Sequence, residues 1–95
     1  MPVEVMLFTK KDCPNCPHAK KILAELAHEM AGEIELKEYD LDKEEDFLTA
    51  LQHQVRSTPA VVVGGALVSA GRRLAKDEVL KAIMENKASA RGPEV

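Results

Sequence analysis

The 95-residue chain has no tryptophan, one tyrosine and two phenylalanines, and it has only two cysteines. These are Cys13 and Cys16, so close together that a bond between them closes a loop too short to staple a fold. A structural disulfide framework is therefore excluded, and the pair is available for redox chemistry or for half of a metal site. No apolar run approaches the ~20 residues a membrane span requires. The N-terminus, Met1-Pro2-Val3-Glu4, has no basic stretch leading into an apolar core and no small-residue cleavage site. The expectation is a chain that meets no membrane and stays in the cytoplasm. A basic stripe is also missing: the net charge is −3 and the lysines and arginines are scattered, which excludes a nucleic-acid partner. There is no internal repeat or low-complexity insert. Nothing argues for an oligomer or a cofactor, so a monomer without cofactor is expected.

What is present suits one small core, since 45% of the residues are apolar. Residues 1–87 read as a single domain and 88–95 as a flexible, polar, Pro/Gly-containing tail. Val3 to Thr9 is almost continuously apolar and predicts a central strand buried on both faces. Cys16, Ala19, Ile22, Leu23, Leu26, Ala27 and Met30 then follow helical spacing, with His18, Lys21, Glu25 and Glu29 opposite, and Gly32 marks the stop. Glu33 to Leu41 alternates as an edge strand would. Asp42 followed by Glu45 has the form of a capping box, and Phe47, Leu48, Leu51 and Val55 form the inner stripe expected of a second helix. After Ser57-Thr58-Pro59, the runs Ala60–Val63 and Ala66–Ser69 flank Gly64-Gly65 as a hairpin. Val79, Leu80, Ile83 and Met84 space a last helix ending near Asn86. The order β-α-β-α-β-β-α, with a right-handed crossover joining the first two strands, predicts an α/β fold: a four-stranded mixed sheet flanked by three helices.

Cys13-Pro14-Asn15-Cys16 falls where the central strand hands over to the first helix. The spacing predicts Cys13 near the N-cap, with Pro14 at the first helical position and Asn15 between it and Cys16. Cys13 then faces solvent, and Cys16 lies on the inward stripe one turn on. Unpaired N–H groups and the positive end of the helix favour a thiolate at Cys13, with Lys10 and Lys11 adding positive charge. A thiol of pKa ~8.5 is a few per cent ionised at neutral pH, whereas one lowered to ~7 is about half ionised. Such a thiolate attacks a disulfide, and Cys16 resolves the mixed disulfide. Pro17, directly after the motif, removes a donor that would have bonded the Cys13 carbonyl.

With these residues in place the chain resembles the thioredoxin superfamily, in particular its short, glutaredoxin-sized members. The resemblance runs from about Val3 to Asn86 and is carried by Cys13-Pro14-Asn15-Cys16, Arg56-Ser57-Thr58-Pro59, the Gly64-Gly65 turn and Gly71. It implies a cis Thr58–Pro59 peptide beside the dithiol, whose exposed backbone pairs with substrate. It implies disulfide-containing proteins as substrates and a protein-disulfide reductase activity. Thioredoxins usually carry Trp-Cys-Gly-Pro-Cys and a buried acid in the first strand. Here Asp12 precedes Cys13 and Leu7 holds the strand position. Glutaredoxins usually follow their last strand with Gly-Gly and an acidic or hydroxyl residue, but this chain has Ser69-Ala70-Gly71-Arg72-Arg73. Two arginines do not offer the free amine of glutathione a carboxylate. A thioredoxin-reductase-like flavoprotein is therefore the expected reductant, with glutathione as the alternative.

Other functions use the same residues. A metal-binding module needs two ligands besides the cysteines, and His18, His28 and His53 are the candidates. Neither His18 nor His28 shares the stripe of Cys16, and His53 lies on another helix, so no metal site is expected. A docking module that retains its dithiol without turnover is a further reading. Arg56, Arg72 and Arg73 either steer an acidic partner or are surface charge.

Overall fold

In a computed structural model that describes residues 2–90, with side chains for 2–87, the chain forms seven elements. They are β1 (Val3–Thr9), α1 (Cys16–Glu29), β2 (Ile34–Asp40), α2 (Glu44–Gln52), β3 (Ala60–Val63), β4 (Ala66–Ala70) and α3 (Lys76–Ala90). The strands lie in the order β2-β1-β3-β4. β1 pairs parallel to β2 from Val3–Ile34 to Thr9–Asp40 and antiparallel to β3 from Val5–Val63 to Phe8–Ala60. β3 and β4 form the antiparallel hairpin. This is the mixed sheet with three helices that the apolar patterning predicts.

β1 reads as a continuous apolar run because both of its faces are covered. Val3, Val5 and Leu7 pack with Ala19, Ile22, Leu23 and Leu26 of α1, and with Leu74, Val79 and Ile83 from α3 and its approach. Met6 and Phe8 point the other way, into a smaller cluster with Ala50, Val55, Ala60 and Val62. The Phe8 ring stacks on Tyr39, with centroids 4.9 Å apart. Gly64 and Gly65 both have positive φ, +57° and +89°, which a two-residue hairpin turn of the favoured hand requires.

Three element-level expectations are corrected. Asp42 and Glu45 do not form a capping box: α2 has Lys43 at its N-cap with no side-chain cap bond. Instead Asp46, in the first turn of α2, accepts from the Asp40 amide at 2.8 Å, and Asp42, which precedes the helix, accepts from the Lys11 amide. The apolar stripe of α2 is not an inner one. Phe47, Leu48 and Leu51 are 47%, 53% and 52% exposed, and Ala50 is the helix's buried residue. Finally, α3 continues past Asn86 to Ala90, because Lys87-Ala88-Ser89-Ala90 contains no helix breaker. Residues 91–95 of the expected tail lie outside the described residues.

Candidate active site

The loop between β1 and α1 carries the cysteines and is fixed from both ends. Leu41 donates its amide to the Thr9 carbonyl at 2.8 Å, and the Lys11 amide donates to Asp42 Oδ2 at 2.8 Å. The segment joining β2 to α2 therefore holds the loop that leads to Cys13. Asp12 follows in the left-handed region, φ +60°, which Asp tolerates better than most residues.

Cys13-Pro14-Asn15-Cys16 is a turn rather than the first turn of α1. The Cys16 amide donates to the Cys13 carbonyl at 3.3 Å, and Asn15, at φ −95° and ψ −3°, has the geometry of the second central residue of a type I turn, where proline is favoured one place earlier. Asn15 is the N-cap and Cys16 the first residue of α1, so Cys13 lies near the N-cap but Pro14 stands outside the helix, which corrects its placement at the first helical position. Pro17 is the physical reason. It has no N–H to give the Cys13 carbonyl, so Cys13 is left out of the helical ladder, whose first bond at this end is Ala19 N–H to Asn15 O at 3.2 Å. The Cys13 carbonyl is consequently not unpaired, since Cys16 N–H occupies it.

The two sulfurs are bonded to each other, with Cα atoms 5.4 Å apart. Cys13 is half-buried and Cys16 is 4% exposed. They share a cleft of about 620 Å³ with Pro14, Lys10, Asp12 and Lys20. Lys11 is not in it and faces an adjoining hollow with Asp40 and Asp42. Lys20 is not disclosed as a site residue by the apolar face of α1. Its position four residues after Cys16 is the signal that finds it. No acid lies beneath the dithiol: Leu7 is fully buried, and Ser69 is the buried polar residue among those described.

The Thr58–Pro59 bond is cis. Pro59 comes one residue before the Ala60–Phe8 pair, so this peptide lies beside Thr9 at the sheet end that bears the cysteines. Pro59 is buried, and its carbonyl accepts from the Gly71 amide at 3.0 Å. Gly71 has φ +75°, and a Cβ there would stand 2.4 Å from Ser57 Oγ. Gly71 thus works by letting the chain after β4 pass close against Ser57-Thr58-Pro59.

The histidines do not gather with the cysteines. His18 Nε2 donates to the Leu74 carbonyl at 3.2 Å, leaving Nδ1 to accept from Arg73 at 3.4 Å. His53 lies against Phe8, and His28 is exposed in the last turn of α1. Arg72 is paired with Glu78, whose carboxylate bonds and attracts the guanidinium and raises its pKa. Lys37 is raised by Glu4, and Lys76 by Glu29, both on the surface.

A strand-to-helix junction carrying an accessible cysteine bonded to a buried one, with a cis proline beside it on a four-stranded mixed sheet, defines a thiol–disulfide redox protein. A family model described as "Thioredoxin domain" matches residues 1–84. The thioredoxin of Methanocaldococcus jannaschii is 35% identical over 63 residues, spanning 66% of this chain and 72% of that protein. A probable thioredoxin of Methanothermobacter thermautotrophicus is 27% identical over 85 residues, 87% of this chain and 94% of that one. The fold is shared with chloroplastic thioredoxin z at TM-score 0.74 and 17% identity, covering 92% of this chain and 80% of that one. It is also shared with a malarial protein at TM-score 0.73 and 22% identity, covering 90% and 97%. The chain belongs to the thioredoxin family.

Proposed function

We propose that this chain reduces protein disulfides with Cys13 as nucleophile and Cys16 as resolving thiol, and that a thioredoxin-reductase-like flavoprotein recycles it. The observation that carries the reading is a half-buried Cys13, lining a cleft, bonded to a buried Cys16 at the start of α1. The first turn of α1 contains no acidic residue, whereas those of α2 and α3 contain three and two. The positive end of α1 is therefore not neutralised by its own side chains and favours a thiolate just outside it. Lys10 and Lys20, which line the same cleft, act in the same direction, and Asp12, which lines it too, opposes them.

In the cycle, the Cys13 thiolate attacks one sulfur of the substrate disulfide. That bond breaks, and the departing sulfur leaves as a thiolate and takes a proton from solvent. Cys16 loses its proton and attacks the Cys13 sulfur, which forms the Cys13–Cys16 bond and releases the second substrate thiol. An electron pair has passed to the substrate, and an external dithiol or flavoprotein must return one. Thr58 offers backbone to the substrate, and Pro59, which has no N–H and whose carbonyl is held by Gly71, orients it. For glutathione, the segment after β4 presents Arg72, engaged by Glu78, and Arg73, where the free amine of the tripeptide needs a carboxylate. This reading belongs with a monomer in a reducing cytoplasm.

The test offers the oxidised protein NADPH with thioredoxin reductase and, separately, glutathione, with insulin as substrate. NADPH-driven insulin reduction is expected only with the flavoprotein. Cys13→Ser should abolish it, and Cys16→Ser should accumulate mixed disulfides. Reduction by glutathione alone would reassign the reductant, and no acceleration with either would overturn the activity.

A further inference from the structure

Phe47, Leu48 and Leu51 form an apolar helix face that the fold leaves about half exposed, although a small monomer ordinarily covers such a patch unless a partner uses it. Two of them, Phe47 and Leu51, join Leu41 and Val55 as walls of a cleft of about 460 Å³. Thr58, Arg56 and Lys10 line the same cleft. Lys10 also lines the cleft holding Cys13 and Cys16. The two hollows therefore share Lys10, and Thr58, which precedes the cis proline, lines the second of them.

In the cleft beside α2, two cations, Lys10 and Arg56, stand against one acid, Asp42. Lys10 and Arg56 are exposed and make no ion pair among the described residues. The acid in the cleft, Asp42, has one carboxylate oxygen occupied by the Lys11 amide.

We infer that the dithiol cleft continues across Lys10 and Thr58 onto α2 as a groove for an extended substrate segment, one that carries a large apolar side chain and a carboxylate on the same side of its reactive cysteine. The apolar side chain enters between Phe47 and Leu51, and the carboxylate meets Arg56 and Lys10. This deepens the disulfide-reductase reading and rests on it. α2 then selects among substrates while the sulfur chemistry stays at Cys13: the substrate S–S bond breaks, the Cys13–Cys16 bond forms, and the electron pair leaves on the released thiols.

The probes are short peptides with one cysteine held as a mixed disulfide with thionitrobenzoate, whose release is followed by absorbance. Phe and Glu are placed at successive distances on either side of the cysteine, with Ala and Gln as controls. Rates are divided by that with the free aromatic disulfide, dithiobis(nitrobenzoate). For at least one placement, the Phe/Glu peptide should react about tenfold faster than its control, the scale of burying one large apolar side chain with a charge partner. Phe47→Ala with Leu51→Ala should bring that ratio near one, and Arg56→Gln should remove only the part due to Glu. Equal rates at every placement, or a preference that survives the double substitution, would overturn the groove while leaving the reductase intact. Failure of all peptides and of insulin to react faster than with dithiothreitol alone would remove the reductase reading, and the groove with it. A wild-type dimer in sedimentation, dissociated by Leu51→Lys, would assign this face to a second copy and overturn the proposal.

Discussion

Pro17 decides where α1 begins, and through that where Cys13 sits relative to the helix end. With an N–H at this position, the Cys13 carbonyl would have a helical donor in place of the long 3.3 Å turn bond from Cys16. Pro17→Ala should therefore extend α1 toward the motif. The new bond and the greater freedom of the unfolded chain, each about 1 kcal/mol and opposed in sign, leave stability nearly unchanged. The expected signs are a protected amide at position 17 in hydrogen exchange and faster alkylation of Cys13 in the reduced protein at neutral pH. An unprotected amide there would mean that the proline does not set the helix start. Gly71 is constrained by both conformation and space. Alanine at φ +75° costs about 1–2 kcal/mol, and its Cβ would also collide with Ser57 Oγ. Gly71→Ala should lower Tm by about 10 °C or more, taking ~4–8 °C per kcal/mol for a domain of this size. It should also slow reduction of protein disulfides by displacing Thr58-Pro59. Adding Ser57→Gly relieves the collision but not the strain, so thermal melts of the double variant should recover only part of the loss.

At the scale of elements, the connection from β2 to α2 does two jobs with three carboxylates. Asp46 holds the Asp40 amide, Asp40 holds the Asp42 amide, and Asp42 holds the Lys11 amide on the far loop. Asp42→Ala removes a charge-assisted bond at an exposed site, about 1 kcal/mol. The Lys11 amide should then exchange faster while amides in the middle of α1 do not change. A uniform loss of protection across α1 would show instead that Asp42 supports the whole fold. This bond also marks the limit of what the sequence discloses. β1, the hairpin and the inward stripe of α1 are legible because buried strands are continuously apolar, a Gly-Gly turn has one common use, and helical spacing repeats. The dithiol is legible because Cys-x-x-Cys sits between a strand and a helix. The partner of Asp42 is not, because Lys11 is 31 residues away and a carboxylate beside a helix looks like a cap whatever it bonds. The start of α1 is not legible because proline suits both the first helical position and a turn, and only the bonds of Cys13 and Cys16 distinguish the two. The stripe of α2 is visible as apolar, but periodicity does not say whether a face is covered by its own chain.

For the molecule as a whole, the two faces of the sheet are unequally built. α1 buries Cys16, Ala19, Ile22, Leu23 and Leu26 on one face, where Val79 and Ile83 of α3 join them. On the other face α2 contributes Ala50, with Val55 following it, and the Phe8–Tyr39 stack provides much of the remaining cover. Substitutions should report this difference. Leu23→Ala, at a fully buried position, should cost about 2–5 kcal/mol of global stability, whereas Leu48→Ala should fall within about 0.5 kcal/mol of wild type. Opening α2 exposes little apolar surface that is not already wet, so its amides should exchange through a local opening well below the free energy of global unfolding. Those of β1 and the middle of α1 should exchange only with the whole domain. Native-state exchange at rising denaturant separates the two cases, since the α2 amides should show little denaturant dependence until they merge with the global limit. Protection in α2 equal to that of β1 would contradict this ordering. The asymmetry also has a functional consequence, because the dithiol is mounted on β1 and α1, the strongly packed half. The sulfur positions are thus held by the most stable part of the fold, and the proposed substrate groove borders the part that opens most easily.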